Sequence, residues 1–113
     1  ANNALQFVGN PYVWGGTSLT NGADCSGFVQ SVMRNFGISL PRTSRAQSQV
    51  GEAINSSEMQ PGDLIFYANS SGTVNHVAMY IGNGQVVHAS SARTGIRISN
   101  WNYRTPKVIR RVL

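Results

Sequence analysis

A chain of 113 residues, 41% hydrophobic and 12% charged, has room for one core and is neither a disordered segment nor a repeat array. Nine Lys and Arg against four acids give a net charge of +5 and a pI near 10.2, which leaves nucleic acid, an acidic surface or an anionic polymer as partners. No apolar run approaches the roughly 20 residues that span a bilayer, and a single cysteine rules out an internal disulfide.

Residues 4–8 read as a short helix stopped by Gly9-Asn10-Pro11. Tyr12-Val13-Trp14-Gly15-Gly16 follows as an aromatic-glycine loop, and residues 17–23 are rich in turn formers. Over 24–36 the apolar residues Phe28, Val29, Val32, Met33 and Phe36 recur at helical spacing, with Gly37 as the stop. Leu40-Pro41-Arg42-Thr43 leads into a second short helix that runs to about Val50, capped by Thr43 or Ser44. The second half changes period: 63–67, 74–81, 85–90, 96–99 and 108–112 read as strands bounded by Gly, Asn and Ser. Helices first and strands afterwards predict an α+β domain, with the helices packed on one antiparallel sheet of about five to six strands.

The basic residues do not gather on one helix. Arg104, Lys107, Arg110 and Arg111 lie in a C-terminal segment that alternates like a strand, with no aromatic-rich nucleic-acid motif beside them. This pattern suits general attraction to a polyanion rather than readout of a nucleic-acid sequence.

A lone cysteine is commonly a small buried hydrophobe, so Cys25 has to be judged by its surroundings. Asp24 stands where an N-cap belongs, which puts Cys25 in the first helical turn, near the positive end of the dipole and its unpaired N–H groups. Such a setting is expected to lower a thiol pKa from about 8.5 into roughly the 3.5–7.5 range, and the same N–H groups suit an oxyanion. The chain has two histidines, in adjacent predicted strands. Alternation puts His76 with Ala78 and Tyr80, and His88 with Val86 and Ser90. If Gly82-Asn83-Gly84 forms a three-residue loop, Ile81 pairs with Gln85 and both imidazoles share a face as diagonal neighbours. A two-residue Asn83-Gly84 turn without a compensating bulge sends them to opposite faces. On the favourable register His76 is the base for Cys25, and His88 orients the His76 ring. Zinc held by Cys25, His76 and His88 is the competing chemistry, but the spacing matches no familiar zinc pattern; no metal and no cofactor are expected.

The residues Pro11-Tyr12-Val13-Trp14-Gly15-Gly16 and Asp24-Cys25-Ser26-Gly27-Phe28-Val29 resemble the start of NlpC-type cell-wall cysteine peptidases. Leu40-Pro41-Arg42-Thr43-Ser44 with Gln47, Pro61-Gly62-Asp63-Leu64-Ile65-Phe66, Asn75-His76-Val77-Ala78-Met79-Tyr80-Ile81-Gly82 and Val87-His88-Ala89 continue the resemblance in order. It covers nearly the whole chain. The resemblance implies a papain-like fold and a catalytic triad on Cys25, His76 and His88. It implies hydrolysis of peptidoglycan stem peptides at the bond between γ-D-glutamate and the following diamino acid. By the same resemblance Tyr12 lies beside the nucleophile, and Asp24 with Ser44 belongs to the pocket for the free amino end of the stem. Core packing is the plainer role for Trp14. Arg42 is open to pairing with a substrate carboxylate or to a structural part at the start of the second helix. Asn75 and Ala78 depart from the small Ser and the Gly common in the family, which touches the pocket wall and not a catalytic group.

Residues 1–113 are thus expected to form one peptidase domain, monomeric, cut from a longer protein secreted to the cell wall or medium, with anionic wall polymers as further partners. The opening Ala1-Asn2-Asn3 carries no secretory leader, so any signal is expected outside this sequence. Two rival functions remain. One is a related Cys-His amidase that cuts between muramic acid and L-alanine, and the other is an inactive wall-binding module.

Overall fold

The computed structural model describes residues 5–18, 22–91 and 94–112. The helix expected over 4–8 falls partly outside them; from Leu5 the chain turns, with Val8 N–H donating to Leu5 C=O at 3.2 Å and Asn10 N–H to Phe7 C=O at 3.0 Å. The turn-rich stretch holds a small antiparallel ribbon not foreseen from the sequence, β1 (Thr17–Ser18) on β2 (Gly22–Ala23).

Helix α1 (Cys25–Arg34) starts at Asp24, whose extended backbone and side chain form the N-cap, accepting the Gly27 N–H at 2.7 Å. Its apolar stripe, Phe28, Val29, Val32 and Met33, is wholly buried. Gly37, at φ +78°, ends the helix. Ile38 N–H donates back to Met33 C=O at 3.1 Å and Gly37 N–H to Arg34 C=O at 3.0 Å, the Schellman pair. Phe36, expected in the apolar stripe, lies past the last helical turn and is exposed. Helix α2 (Ser44–Gln47) is a single turn capped by Thr43 Oγ1. Buried Gln47 ties the two helices together, its Nε2 donating to Ser26 C=O at 3.1 Å and Pro41 C=O at 2.8 Å.

The rest is a six-stranded antiparallel sheet made of β3 (Glu52–Ala53), β4 (Leu64–Ala68), β5 (Val74–Gly82), β6 (Gln85–Ser91), β7 (Gly95–Asn100) and β8 (Pro106–Arg111), in the order β3-β8-β4-β5-β6-β7. A 3₁₀ turn (Ser56–Glu58) lies between β3 and β4. One face, carrying Leu64, Phe66, Val77, Met79, Val87, Ala89 and Ile96, packs on α1. The opposite face buries Ile65, Tyr67, Ala78, Val86 and Ile109 beneath Ile54, Met59 and Trp101. The expected α+β architecture is what the chain forms, with helices on one side of a mostly antiparallel sheet.

Between β5 and β6 the chain makes the two-residue turn, with Asn83 (φ 56°) and Gly84 (φ +75°) both in the left-handed region. Gly82 pairs with Gln85, but Tyr80 pairs with Val86 and Met79 with Val87. Ile81 is therefore an extra residue, a bulge that restores the offset an Ile81–Gln85 pairing would have set. The register needed to put His76 and His88 on one face survives through this bulge and not through a three-residue loop. A second bulge precedes His76: Tyr67 pairs with His76 and Ala68 with Val74, which leaves Asn75 unpaired with β4. On β8, Phe66 pairs with Val108 and Tyr67 with Pro106, so Lys107 is the additional residue there.

Candidate active site

The first turn of α1 is held by an unusually close approach of backbone. A Cβ on Gly27 would lie 2.1 Å from Gly16 C=O, and one on Gly16 would lie 2.4 Å from Gly22 C=O. Asp24 N–H donates to Gly16 C=O at 3.1 Å, so the aromatic-glycine loop is clamped against the helix start. This contact turns Asp24, Cys25 and Ser26 into a cleft of about 450 Å³ whose walls include Trp14, Arg42, Ser44 and Asn75. Trp14 is 85% exposed at that rim, so the core role expected for it does not hold.

Cys25 is partly exposed, and the backbone N–H groups of Val77, Ser26 and Cys25 itself favour its anion. Both imidazoles lie on the sheet face turned away from the α1 stripe, beside Tyr67 and Tyr103. His76 Nε2 and His88 Nδ1 are 2.7 Å apart, with the rings edge to face at 5.0 Å. His88 Nε2 in turn lies 2.9 Å from Ser99 Oγ. The Tyr103 hydroxyl stands 3.5 Å from His88 Nδ1, a longer and secondary contact. Arg104 donates through Nη2 to Ala68 C=O at 3.0 Å and to Asn75 Oδ1 at 2.9 Å, and lies 5.7 Å from the Tyr67 ring centroid.

Burial pushes the Cys25 thiol above its ordinary range and the Asp24 carboxylate pushes the same way, against N–H groups of Val77, Ser26 and Cys25 that favour the thiolate. The lowered thiol pKa expected from the helix start is therefore overturned: desolvation wins. His76 is held well below the ordinary imidazole range by burial, then by His88 and Arg104. His88 is held down by burial and by Arg97, which faces it across β7. Both imidazoles are neutral near pH 7.

Asp24 carries its charge although burial works against it; the Arg42 fork and the Gly27 N–H hold its carboxyl below the usual range. Its Oδ1 accepts from Gly27 N–H at 2.7 Å, Arg42 Nη1 at 3.1 Å and Ser26 Oγ at 3.3 Å. Its Oδ2 accepts from Arg42 Nη2 at 3.0 Å and Gly15 N–H at 3.1 Å. Five donors on two oxygens fill the lone pairs of a carboxylate. An incoming ammonium group has to displace one of them, and Arg42 meets the cleft with its fork already on Asp24, a pairing the sequence reading did not foresee. Ser44 lines the cleft, and the Tyr12 hydroxyl is pushed up by burial and by the charges of Cys25 and Asp24, which locates it beside both.

Sequence reasoning missed Ser99, Tyr103, Tyr67 and Arg104. A signal for Ser99 existed in the register: Val86 pairs with Ser99 and His88 with Arg97, which puts Ser99 diagonally across from His88 on one face.

A family model, the NlpC/P60 family, matches residues 9–111. The chain belongs to the NlpC/P60 family. This NlpC/P60 chain is 44% identical over 99 residues to a gamma-D-glutamyl-L-lysine dipeptidyl-peptidase of Bacillus cereus, a match covering 86% of the chain and 29% of that protein. It is also 44% identical over 96 residues to a probable endopeptidase NlpC homolog of Haemophilus influenzae, covering 84% of the chain and 49% of the relative. A crystal structure of a Bacillus cereus NlpC/P60 family protein superposes with a TM-score of 0.93 at 41% identity, over 99% of this chain and 38% of that one. The NlpC/p60 domain of the peptidoglycan hydrolase SagA superposes at 0.86 and 30% identity, over 98% of this chain and 94% of that one. The chain spans less than half the length of the two curated relatives. Among the described residues, no helix is long and apolar enough to cross a membrane.

Proposed function

We propose that this chain is a cysteine peptidase that hydrolyses peptidoglycan stem peptides at the bond between γ-D-glutamate and the following diamino acid. The observation that carries the reading is the hydrogen-bonded line from His76 through His88 to Ser99, on the strand beside the helix start that carries Cys25. The similarity to a gamma-D-glutamyl-L-lysine dipeptidyl-peptidase supports the bond assigned, and the similarity to a probable endopeptidase supports peptide hydrolysis. On this reading residues 1–113 act as one monomeric catalytic domain of a longer protein working outside the cell or in its wall.

The chemistry follows from the tautomers. For His76 to take the thiol proton on Nδ1, its own proton must sit on Nε2 and be donated to His88 Nδ1. His88 must then carry its proton on Nε2 and donate to Ser99 Oγ. As Sγ attacks the γ-carbonyl carbon, the thiol proton passes to His76 and the S–C bond forms. The N–H groups of Cys25 and Ser26 face the developing oxyanion, Gly27 N–H being engaged by Asp24. The imidazolium gives its proton to the leaving amine as the C–N bond breaks. A water deprotonated by His76 then opens the thioester, freeing the glutamyl product and the thiol. Tyr12 and Ser44, at the edge of the Asp24–Arg42 pair, receive the amino end of the stem.

Mass spectrometry of digests of defined tri- and tetrapeptide stems and of purified peptidoglycan tests the bond. New diamino-acid N-termini support it; release of intact stems means an amidase and overturns it. Cys25→Ala is expected to lose about 10⁶ in rate, and undiminished turnover in that variant sinks the cysteine mechanism.

A further inference from the structure

Two of the four acidic residues of this chain, Asp24 and Asp63, form ion pairs with arginines. Asp24 pairs with Arg42 at 3.0 Å. Asp63 pairs with Arg111 at 2.9 Å, and Glu52 and Glu58 add their fields to the same guanidinium. Among the described residues, the other Lys and Arg form no ion pair with a carboxylate.

Three of these cations, Arg45, Lys107 and Arg110, line a single cavity of about 600 Å³, larger than the cleft at Cys25. Their convergence is built. The bulge on β8 makes Lys107 an additional residue and sets its ammonium over Gly72, where an added Cβ would lie 3.8 Å from Nζ. Arg110 is fixed by Nε donating to Ser48 C=O at 2.8 Å and Nη1 to Gly51 C=O at 3.3 Å. Arg45 comes from α2, and Thr73 adds a hydroxyl at the wall. No carboxylate lines the cavity. It adjoins the candidate active site, because Ser44 and Asn75 line the cleft while their chain neighbours Arg45 and Val74 line this cavity.

We infer that the cavity bounded by Arg45, Lys107 and Arg110 is a binding site for the phosphate groups of an anionic, phosphodiester-linked wall polymer. Like-charged side chains gathered without a counter-charge repel one another, and a bound oxyanion relieves that repulsion. Donors arriving from α2, the 72–73 loop and β8 surround a tetrahedral group better than a planar carboxylate. A cavity of this size also admits more than one bare ion, as a polymer requires. A polymer held here brings the neighbouring cleft to the wall without itself occupying it, so the inference stands apart from the chemistry of Cys25.

The test is isothermal titration of the Cys25→Ala full chain with short poly(glycerol phosphate), inorganic phosphate and poly-glutamate, which needs no turnover. Arg45→Gln with Lys107→Gln, both exposed positions, is expected to weaken binding of poly(glycerol phosphate) about tenfold. Arg34→Gln with Arg97→Gln removes the same charge elsewhere and is expected to weaken it much less. Equal weakening by the two pairs overturns the site, since net charge alone then explains binding. Poly-glutamate bound as tightly, with the same dependence on Arg45 and Lys107, overturns the phosphate assignment. Inorganic phosphate bound as tightly per phosphate group as the polymer overturns the polymer. Unchanged melting temperatures identify both double variants as folded.

Discussion

Ser99 has a part that no local pattern marks. Its hydroxyl lies 2.9 Å from His88 Nε2; in the tautomers that the proposed mechanism requires, it accepts the Nε2 proton and leaves His88 Nδ1 bare to accept from His76. One neutral hydrogen bond is worth about 1 kcal/mol, so Ser99→Ala is expected to lower kcat about fivefold with KM unchanged and Ser99→Thr to restore it; steady-state kinetics on a defined stem peptide checks both. Arg104 acts on the same pair through its charge, disfavouring an imidazolium at His76. Arg104→Gln is expected to raise the pKa of the acid limb of kcat/KM by roughly half a unit, read from a pH–rate profile. Both residues stayed unseen in the sequence for one physical reason. Periodicity reports which face of an element is apolar, whereas Ser99 meets His88 across 11 positions and Arg104 meets Asn75 across 29. The Asp24–Arg42 fork, 18 positions apart, escaped notice likewise.

At the scale of elements, the legible parts were those coded by neighbours in the chain. The Asp24 cap, the buried stripe of α1 and the Gly37 stop all follow from residues within a few positions. The histidine hairpin was legible as a condition: Asn83-Gly84 announces a tight turn, and only the bulge at Ile81 reconciles it with two histidines on one face. Which face that is, away from α1, depends on long-range packing and was not readable. The contact between α1 and the glycine loop is the most demanding of these joints. Gly27→Ala puts a methyl group against the Gly16 carbonyl and is expected to cost about 1–3 kcal/mol. A lowered melting temperature checks it, and a shift within error would mean that the loop yields without cost.

For the whole molecule, the buried histidines tie stability to pH. The unfolded chain protonates both imidazoles as pH falls below about 6.5, whereas the folded chain holds His76 down to about 3 and His88 to about 4. Below 6.5 the unfolded state binds more protons, so stability is full above that value and is lost as pH drops through the window. Urea midpoints at about pH 7.5 and about pH 5 are expected to fall with acidity, and His88→Asn to flatten the difference; a midpoint independent of pH in this range contradicts it.

Burial and Asp24 push the Cys25 thiol up, outweighing the N–H groups that would stabilise its anion. Peroxides and alkylating agents attack thiolate and largely ignore thiol. This chain has no second cysteine with which to form a protective internal disulfide. If Cys25 is the nucleophile proposed above, the upward push on its thiol shields it from such reagents until a base takes its proton.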